Sequence, residues 1–319
     1  MFEVFAAHDI EYFFYNGGGD SQDTTFKVSE MAKKLKFPLK CVGIPKTVDN
    51  DLPYTDCSPG FGSVAKYIAT STLEAGLDVK SMAETSTKVF ILEVMGRHAG
   101  WIAAASCLAA TKAGDPPHII LLPEVPFEKT KFITQVKQTV KEQGYCVIVA
   151  SEGTQTKNGK FLADSGLTDA FGHKQLGGVA PVLAGMISKI GLKNHWAVAD
   201  YLQRSARHIA SKTDLDQAYA VGEHAVKLAI AGKTALMPII KRTSDSPYKW
   251  KIATAPLKNV ANIEKTMPKK FISKNGFEIT QAGKTYLSPL IKGEAPIKYV
   301  NGLPDIAELK KIKVKKKLS

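Results

Sequence analysis

The sequence has little of what marks secreted, membrane-spanning or cysteine-rich proteins. Its 319 residues include four scattered cysteines and no C-x-x-C pair: Cys41, Cys57, Cys107 and Cys146. This usage excludes a disulfide scaffold and predicts reduced thiols in a cytoplasmic protein. No stretch reaches the roughly 20 uninterrupted apolar residues that a membrane helix needs. Residues 1–8 lack a basic segment and a small-residue cleavage site, so we expect neither a membrane span nor a signal peptide.

Positive charge is concentrated at one end of the chain. The net formal charge is +13, and residues 241–319 hold 18 Lys and Arg against 6 Asp and Glu. Two interpretations of this basic region are open, a solvated tail and a contact with an anionic partner. The sequence shows no zinc-ligand spacing, RNA-binding signature or alternation of aromatic and basic residues, and so does not favour a nucleic-acid partner.

Apolar, β-type runs alternate with helical patterns over the first two thirds of the chain. The predicted strands are Ile10–Tyr15, Leu39–Ile44, Val89–Val94, His118–Leu122, Tyr145–Ala150 and Trp196–Ala199. The predicted helices are Thr24–Leu35, Phe61–Leu77, Ala99–Ala110, Lys129–Gln143, Val182–Ile190 and Asp216–Ile230. This alternation predicts an α/β protein in which helices cover both faces of a parallel sheet. After residue 241 we find no chemical motif.

Residues suited to phosphate or sugar chemistry follow four of the first five predicted strands. They lie in segments 17–21, 45–51, 95–98 and 151–153. In open α/β sheets, ligands bind beyond the carboxyl ends of the strands. The sequence therefore predicts a binding site at that edge of the sheet.

The segment Gly17-Gly-Gly-Asp-Ser21 separates a predicted strand from a predicted helix. Its glycines allow backbone N–H groups to approach a phosphate closely, and a helix N-terminus adds a favourable dipole. The segment matches neither G-x-G-x-x-G nor the P-loop, so by itself it is equally a tight turn. Asp20 could hold a metal or exclude a ligand, whereas Ser21 and Asp23 are also natural helix caps.

The loop Pro45-Lys-Thr-Val-Asp-Asn-Asp51 carries two carboxylates and a lysine. Asp49 and Asp51 can divide two tasks, one taking a proton from an attacking hydroxyl while the other helps to hold Mg²⁺. Lys46 places a positive charge beside them, which suits a transferring phosphoryl group. The competing interpretation is a solvated turn with aspartate caps.

Further charged residues have one functional and one structural interpretation each. Arg97 follows a strand end, where a guanidinium can bind phosphate through two hydrogen bonds. Glu152 can accept hydrogen bonds from sugar hydroxyls, although either residue is also consistent with a surface ion pair. The basic residues of segment 204–208 either begin a helix with solvated charges or contribute to a site. His195 is by default a packed histidine.

Taken in order, five segments resemble motifs of the phosphofructokinase family. Gly17–Ser21 is similar to its G-G-D-x-S loop, and Pro45–Asp51 to its P-x-T-[IV]-D-x-D catalytic loop. Glu93–Arg97 is similar to its E-x-M-G-R sugar-phosphate motif, Ser151–Gly153 to its E-G strand end, and Tyr201–Arg204 to its late Arg-bearing motif. The resemblance extends from about residue 1 to about residue 235.

The resemblance implies an α/β fold of two parallel-sheet, three-layer domains with the active site in the cleft between them. Residues 1–60 and 201–240 would form the donor-binding domain and residues 61–200 the fructose 6-phosphate-binding domain. Residues 241–319 would be a basic region that completes or extends the fold. Family members have a further N-terminal strand with a Gly-rich phosphate loop. We therefore expect the first domain to be incomplete at its N-terminus, with an exposed sheet edge and exposed apolar surface.

The resemblance also implies a role for individual residues. Asp49 would deprotonate the sugar 1-hydroxyl, and Thr47 and Asp51 would flank the transferring phosphoryl group and its Mg²⁺. The fructose 6-phosphate site would comprise Asp51, Met95, Gly96, Arg97, Glu152, Tyr201 and Arg204. A neighbouring subunit of a homodimer or homotetramer would complete this site, with Lys88 and His195 at the approximate positions of basic residues.

The choice of phosphoryl donor depends on two positions. ATP-dependent members of the family have glycine where this chain has Asp20 and Lys46. These larger side chains fill the space of a nucleotide's α-phosphate and sugar, and Lys46 can pair with pyrophosphate instead. The chain therefore resembles the pyrophosphate-dependent branch, with the donor-binding residues Gly18, Gly19, Asp20, Ser21 and Lys46. Because Gly19 stands where most relatives carry a metal-binding aspartate, the candidate Mg²⁺ ligands are Asp20, Asp49 and Asp51.

We therefore expect a cytoplasmic phosphotransferase of glycolysis. The expected reaction is reversible transfer of a phosphoryl group from pyrophosphate to the 1-hydroxyl of fructose 6-phosphate, giving fructose 1,6-bisphosphate and phosphate. Two alternatives are a non-catalytic or regulatory subunit, including a truncated remnant, and an ATP-dependent sugar-phosphate kinase.

Overall fold

Within the residues that the computed structural model describes, 1–168, 174–176 and 178–318, two four-stranded sheets organise the chain. The strands are β1 (Tyr12–Gly17), β2 (Lys40–Pro45), β3 (Val89–Val94), β4 (Ile119–Leu121), β5 (Cys146–Ser151), β6 (Asp164–Thr168), β7 (Lys174–Leu176), β8 (Asn194–Val198), β9 (Leu236–Asp245), β10 (Tyr248–Pro256), β11 (Tyr299–Val300) and β12 (Leu303–Pro304). The α-helices are α1 (Phe2–Ala7), α2 (Gly19–Lys34), α3 (Phe61–Met82), α4 (Trp101–Ala105), α5 (Lys129–Gln143), α6 (Val179–Ser188), α7 (Asp200–Ser205), α8 (Lys212–Ile230) and α9 (Gln281–Leu287).

The first sheet has the strand order β1-β2-β9-β10. The β1–β2 and β2–β9 pairs are parallel, and β10 returns antiparallel to β9. Successive residues of β2 face opposite sides, because side chains alternate along a strand. Cys41 packs in a cluster with residues of α2, whereas Val42 packs against Ala225 and Ala229 of α8. The sheet is therefore the middle of three layers.

The second sheet has the order β4-β5-β3-β8, and all its strand pairs are parallel. Every residue of β5 is buried, as expected for a strand covered on both faces. Ile120 packs toward α3 and α4, whereas its neighbours Ile119 and Leu121 pack toward α5 and α6. The expected fold class, an α/β fold with two parallel sheets in three-layer arrangements, is confirmed, and the antiparallel strand β10 is an addition to the first sheet.

The edge of the first sheet is exposed at β1. Tyr12, Phe14 and Tyr15 are all exposed aromatic residues on this strand. An exposed sheet edge with exposed apolar surface is what the family resemblance implies for this domain.

Several predicted boundaries differ from the structure. Residue 241, the predicted start of the C-terminal region, lies inside β9, and β10 extends the first sheet further. The last part of the predicted helix Ala99–Ala110 is a 3₁₀ turn, Ser106–Ala109. The helix predicted from Asp216 begins at Lys212, because the Ser211 hydroxyl accepts a hydrogen bond from the Asp214 N–H and caps it.

Two further features bear on the expectations from composition. The four cysteines are free and buried. Among the described residues, no helix combines the length and the apolar character that a membrane crossing requires.

Candidate functional site

A cavity of about 420 Å³ lies where the carboxyl ends of strands from both sheets meet. The loops after β1 and β2 form one side of it, and the loops after β3 and β5 form the other. It is lined by Gly18, Gly19, Asp20, Ser21, Thr47, Asp49, Asp51, Leu52, Met95, Arg97, His98, Ala99, Glu152, Ile263 and Glu264. Most of the residues that the sequence nominates are thus brought together, as expected for a cleft at the strand ends.

A second cavity of about 780 Å³ adjoins the first and shares Gly18, Thr47, Asp49 and Met95 with it. Lys46, Arg204 and Arg207 line this second cavity. Lys46 is exposed and does not line the first cavity, although Asp49 lines both. Lys46 and Arg97 therefore lie in different cavities, which are separated by the residues that line both.

The carboxylate loop after β2 holds Asp49 and Asp51 on either side of a constrained residue. Asn50 has φ of 55°, in the left-handed region that few residues other than glycine adopt. Its buried side chain accepts a hydrogen bond from the Ser58 N–H at 2.9 Å and donates one to the Tyr286 hydroxyl at 3.1 Å. These contacts hold the turn between the two carboxylates. Sequence analysis passed over Asn50, although asparagine's tolerance of this conformation is a usable signal.

The surroundings of Asp49 oppose its negative charge. Burial, and after it the charges of Asp51 and Glu152, raise the pKa of Asp49 from 3.8 to about 7, although Arg97 and His98 oppose part of this shift. Burial also raises the pKa of Asp51. A carboxyl group that titrates near neutral pH is suited to accept a proton from a hydroxyl.

The glycine loop presents backbone donors to the first cavity. The first hydrogen bond within α2 runs from the Gln22 N–H to the Gly18 carbonyl at 3.0 Å. The amide groups of Gly19, Asp20 and Ser21 thus have no acceptor within the helix, as at any helix N-terminus. The Gln22 side chain donates to Gly17 O at 2.8 Å and to Ile44 O at 3.1 Å, which ties this loop to the end of β2. Backbone amides at a helix N-terminus favour phosphate binding.

The opposite side of the cavity depends on close contact between the ends of β3 and β5. The Gly96 N–H donates to Glu152 Oε1 at 3.2 Å, and the Ser151 hydroxyl donates to Gly96 O at 2.5 Å. Glu93 lies outside the cavity and accepts hydrogen bonds from the Gly178 and Ala180 N–H groups at the start of α6. In the E-x-M-G-R segment, the glutamate is therefore structural, whereas Arg97 faces the cavity.

Four nominated residues do not line either cavity: Gly96, Tyr201, Lys88 and His195. Tyr201 is exposed, and the Arg204 guanidinium stacks 3.9 Å from its ring centroid. Lys88 precedes β3 and donates to the carbonyl of Ala83, so it lies at the opposite end of the strand from Met95. His195 is exposed on the edge strand β8, which corrects the default expectation of a packed histidine.

The C-terminal region contributes to the site, although its sequence contains no recognisable motif. Ile263 and Glu264 line the first cavity, and Glu264 Oε1 lies 2.9 Å from His98 Nδ1. No local pattern marks this segment, since its role arises from packing against the loop after β3.

The acidic residues of the first cavity fit a divalent cation that is shared with a bound ligand. Among the described residues, no group of three or more His, Cys, Asp or Glu side chains is placed to hold a metal ion by itself. Asp20, Asp49 and Asp51 nevertheless line the same cavity, and the buried Oδ1 of Asp51 has no hydrogen-bond partner. Mg²⁺ is commonly bound through one or two carboxylates together with substrate phosphates.

Comparisons with known proteins agree with this arrangement. The sequence matches the family model for phosphofructokinase over residues 1–229. It is 63% identical over 319 residues to a pyrophosphate–fructose 6-phosphate 1-phosphotransferase of Halomonas elongata, with 100% of this chain and 76% of that protein covered. A protein of the same name from Methylococcus capsulatus is 59% identical over 320 residues, with 100% and 76% covered.

A solved structure shows the same fold. It is the crystal structure of a pyrophosphate-dependent phosphofructokinase from Marinobacter aquaeolei, which matches with a TM-score of 0.91 at 60% identity. The match covers 99% of this chain and 76% of that chain. The present chain thus spans about three quarters of the length of these relatives.

Proposed function

The chain belongs to the phosphofructokinase family, and from this premise we propose that it phosphorylates fructose 6-phosphate with pyrophosphate. The reaction is the reversible glycolytic transfer that gives fructose 1,6-bisphosphate and phosphate. The observation that carries the proposal is the first cavity, where Asp49 faces Arg97 and Glu152 across from the N-terminus of α2. One cavity thus offers a base, groups that bind a sugar phosphate, and amides for a second phosphate.

Asp49 acts as the general base. It takes the proton of the sugar 1-hydroxyl while that oxygen forms a bond to the terminal phosphorus of pyrophosphate, and the bond to the leaving phosphate breaks. A pKa of about 7 allows Asp49 to accept this proton near neutral pH and to return it in the reverse reaction. Thr47 Oγ1 accepts a hydrogen bond from the Asp49 N–H at 3.1 Å, which supports its role as a flank of the transfer position.

The two cavities divide the substrates between them. Glu152 and the Met95–Arg97 segment contact the sugar from the first cavity, and Arg204 of the second cavity binds its 6-phosphate. Lys46 neutralises the transferring phosphoryl group from the second cavity, across the wall formed by Thr47 and Asp49.

Pyrophosphate binds against segment 18–21, with Asp20 occupying space that a nucleotide would need. Enzymes of this family use a divalent metal, and we assign it as Mg²⁺, held by Asp51 with Asp20 or Asp49. When bound, Mg²⁺ neutralises charge on the phosphate oxygens. The names of the similar proteins from Halomonas elongata and Methylococcus capsulatus support pyrophosphate as the donor.

The assignment of regions and partners follows the same proposal. The first sheet, with residues 1–60 and 201–240, binds the donor, and residues 61–200 bind fructose 6-phosphate. Since Lys88 and His195 lie outside both cavities, they serve a neighbouring subunit of a homodimer or homotetramer. The enzyme works in the cytoplasm.

The donor is tested with the purified protein, fructose 6-phosphate and Mg²⁺. We expect kcat/KM with pyrophosphate to exceed that with ATP by about 100-fold or more, since a site shaped for one donor rejects the other by several kcal/mol. A preference for ATP would reject the donor assignment. Absence of turnover with either donor would reject the enzyme and favour the non-catalytic alternative.

The base is tested with Asp49→Ser. Loss of a general base lowers kcat by about 10²–10⁴-fold, whereas the dissociation constant of fructose 6-phosphate should stay within about threefold because Arg97 and Glu152 are retained. Asp78→Ser, at an exposed position on α3, is the matched control. Undiminished kcat in Asp49→Ser would show that another group takes the proton.

A further inference from the structure

Lys265 lies beneath the carboxylate loop, beyond the residues that match the family model. Its ammonium group is 3.3 Å from Asn50 Oδ1, 3.1 Å from Thr55 O and 2.9 Å from Asp56 O. Its main-chain N–H donates to Asp51 O at 2.6 Å. Lys265 therefore binds four oxygens of segment 50–56. Two of these oxygens, those of Asn50 and Asp51, belong to the carboxylate loop.

The three oxygens that accept from the Lys265 ammonium are uncharged: one amide and two carbonyls. An ammonium has three donors and no acceptor, so these contacts use its full capacity. Lys265 is itself held in place, because the Trp101 indole N–H donates to its carbonyl at 3.0 Å. Its ammonium also lies 5.4 Å from the Trp101 ring centroid. Trp101 thus fixes the position of Lys265, and Lys265 in turn binds the carboxylate loop.

Asn50 transmits this contact to the carboxylates. Its left-handed conformation determines how the residues on either side of it, Asp49 and Asp51, are oriented relative to each other. Such a conformation costs about 1–3 kcal/mol and persists only where surrounding contacts enforce it. The side chain is fixed by Ser58, Tyr286 and Lys265 together, and of these three only Lys265 also binds the main chain of Asp51.

We propose that Lys265 is a positioning residue, which holds Asn50 and the Asp51 carbonyl so that both neighbouring carboxylates face the first cavity. It does not line either cavity and so has no direct part in the chemistry. This inference rests on the proposed function for its effect on turnover. Its effect on the loop can be measured without any substrate.

The kinetic test compares Lys265→Met and Lys265→Arg with the wild type. A displacement of about 1 Å can cost about 100-fold in rate, so we expect kcat of Lys265→Met to fall about 10–100-fold. KM for fructose 6-phosphate should change less than about threefold, since Arg97, Glu152 and Arg204 are untouched. Lys265→Arg should recover part of the loss, because a guanidinium also donates to neutral oxygens but its planar fork does not reproduce the three directions of the ammonium donors. A kcat of Lys265→Met within about twofold of wild type would overturn the proposal.

Lys269→Met is the matched control, since Lys269 is exposed in the same segment. It should behave as the wild type in every measurement. An equal loss of kcat in Lys269→Met would attribute the effect to the charge of the segment and overturn the specific role of Lys265.

Hydrogen–deuterium exchange of residues 49–58 gives a readout that is independent of activity. In the substrate-free protein, exchange of this segment, including the Ser58 amide bonded to Asn50, should be at least about tenfold faster in Lys265→Met. Unchanged exchange would overturn the positioning role even if kcat falls. A wild type without turnover would reject the proposed function and leave this measurement valid. Should Lys265→Met not fold, Lys265→Gln takes its place with the same expected and contradicting outcomes.

Discussion

At the scale of single residues, the site holds groups whose charges are costly to the fold. Asp49 is partly buried beside Asp51 and Glu152, so ionising it opposes both desolvation and like charge. The buried Asp51 Oδ1 has no hydrogen-bond partner, which is another unfavourable arrangement. Unfavourable placement of this kind is typical of residues selected for chemistry rather than for stability.

Replacing Asp49 by Asn should stabilise the protein in a pH-dependent way. The pKa of Asp49 is about 7 in the folded chain against an ordinary value of 3.8. Between these values the folded state binds more protons than the unfolded state, so the carboxyl group lowers stability as pH rises. We expect the free energy of unfolding of Asp49→Asn to exceed that of wild type by about 2 kcal/mol at pH 8, allowing for partial solvent screening.

Urea unfolding at pH 5, 6, 7 and 8 measures this difference. The gain should shrink steadily toward pH 5, while Asp78→Asn, at an exposed position, shows no gain at any pH. A gain that is the same at pH 5 and pH 8 would mean that the charge of Asp49 is not its source.

At the scale of secondary-structure elements, the cavity depends on how closely the ends of β3 and β5 approach. A Cβ atom on Gly153 would overlap the carbonyl oxygens of Gly96 and Arg97. Glycine at this position therefore allows the loop after β3 to lie directly against the end of β5. The position of Arg97 relative to Glu152 follows from this contact.

Gly153→Ala should displace the loop that carries Arg97. Overpacking of this kind costs about 1–3 kcal/mol of stability, and we expect KM for fructose 6-phosphate to rise about tenfold as Arg97 moves. Steady-state kinetics and thermal unfolding measure the two effects. Gly185→Ala is the control, because a Cβ there meets no atom within 4 Å and alanine favours the helix. Unaltered KM in Gly153→Ala would show that the loop position does not govern sugar binding.

The helices that flank the second cavity are joined by one carboxylate. Asp214 near the start of α8 accepts hydrogen bonds from the Gly60 and Ser63 N–H groups and from the Ser63 hydroxyl, at 2.9, 3.0 and 2.6 Å. It thereby satisfies donors at the start of α3, where helices have unpaired amides. The wall that α3 and α8 contribute to this cavity thus depends on a contact between elements far apart in the chain.

At the scale of the whole molecule, the basic end of the chain lies outside the core. Residues after Pro304 are exposed throughout the described part of the tail, and even Leu309, Ile312 and Val314 are at least 80% exposed. The earlier part of the basic region behaves differently, since β10 belongs to the first sheet and Ile263 lines the cavity. Of the two interpretations of the basic region, the solvated tail fits residues after Pro304.

Deleting residues 306–319 should leave the enzyme intact. Because Ile306, Leu309, Ile312 and Val314 are at least 70% exposed and only Leu318 is partly covered, we expect the melting temperature to change by less than about 2 °C and kcat by less than about twofold. Calorimetry and steady-state assays at low and moderate salt measure this. A loss of several degrees, or an effect confined to low salt, would indicate that the tail binds an anionic surface of the protein itself.

The local sequence determined much of this protein. Val89–Val94 and Lys129–Gln143 were predicted with the bounds that the structure has, since their patterns match one type of element over its full length. Apolar strands followed by glycines, carboxylates or arginine also predicted a binding site at the strand ends, whereas the cleft between two sheets was implied only by the family resemblance. Catalytic or binding residues that directly follow a strand can therefore be identified from the local sequence alone.

Only the tertiary structure decided which residues share a cavity. Lys46 and Arg97 lie in adjoining cavities, Tyr201 in neither, and the segment 263–265 reaches the carboxylate loop from more than 200 positions away along the chain. These placements depend on strand order and on packing between distant segments. A single sequence carries no periodic or local signal for such contacts, so they become visible only when the two sheets and the C-terminal region are assembled.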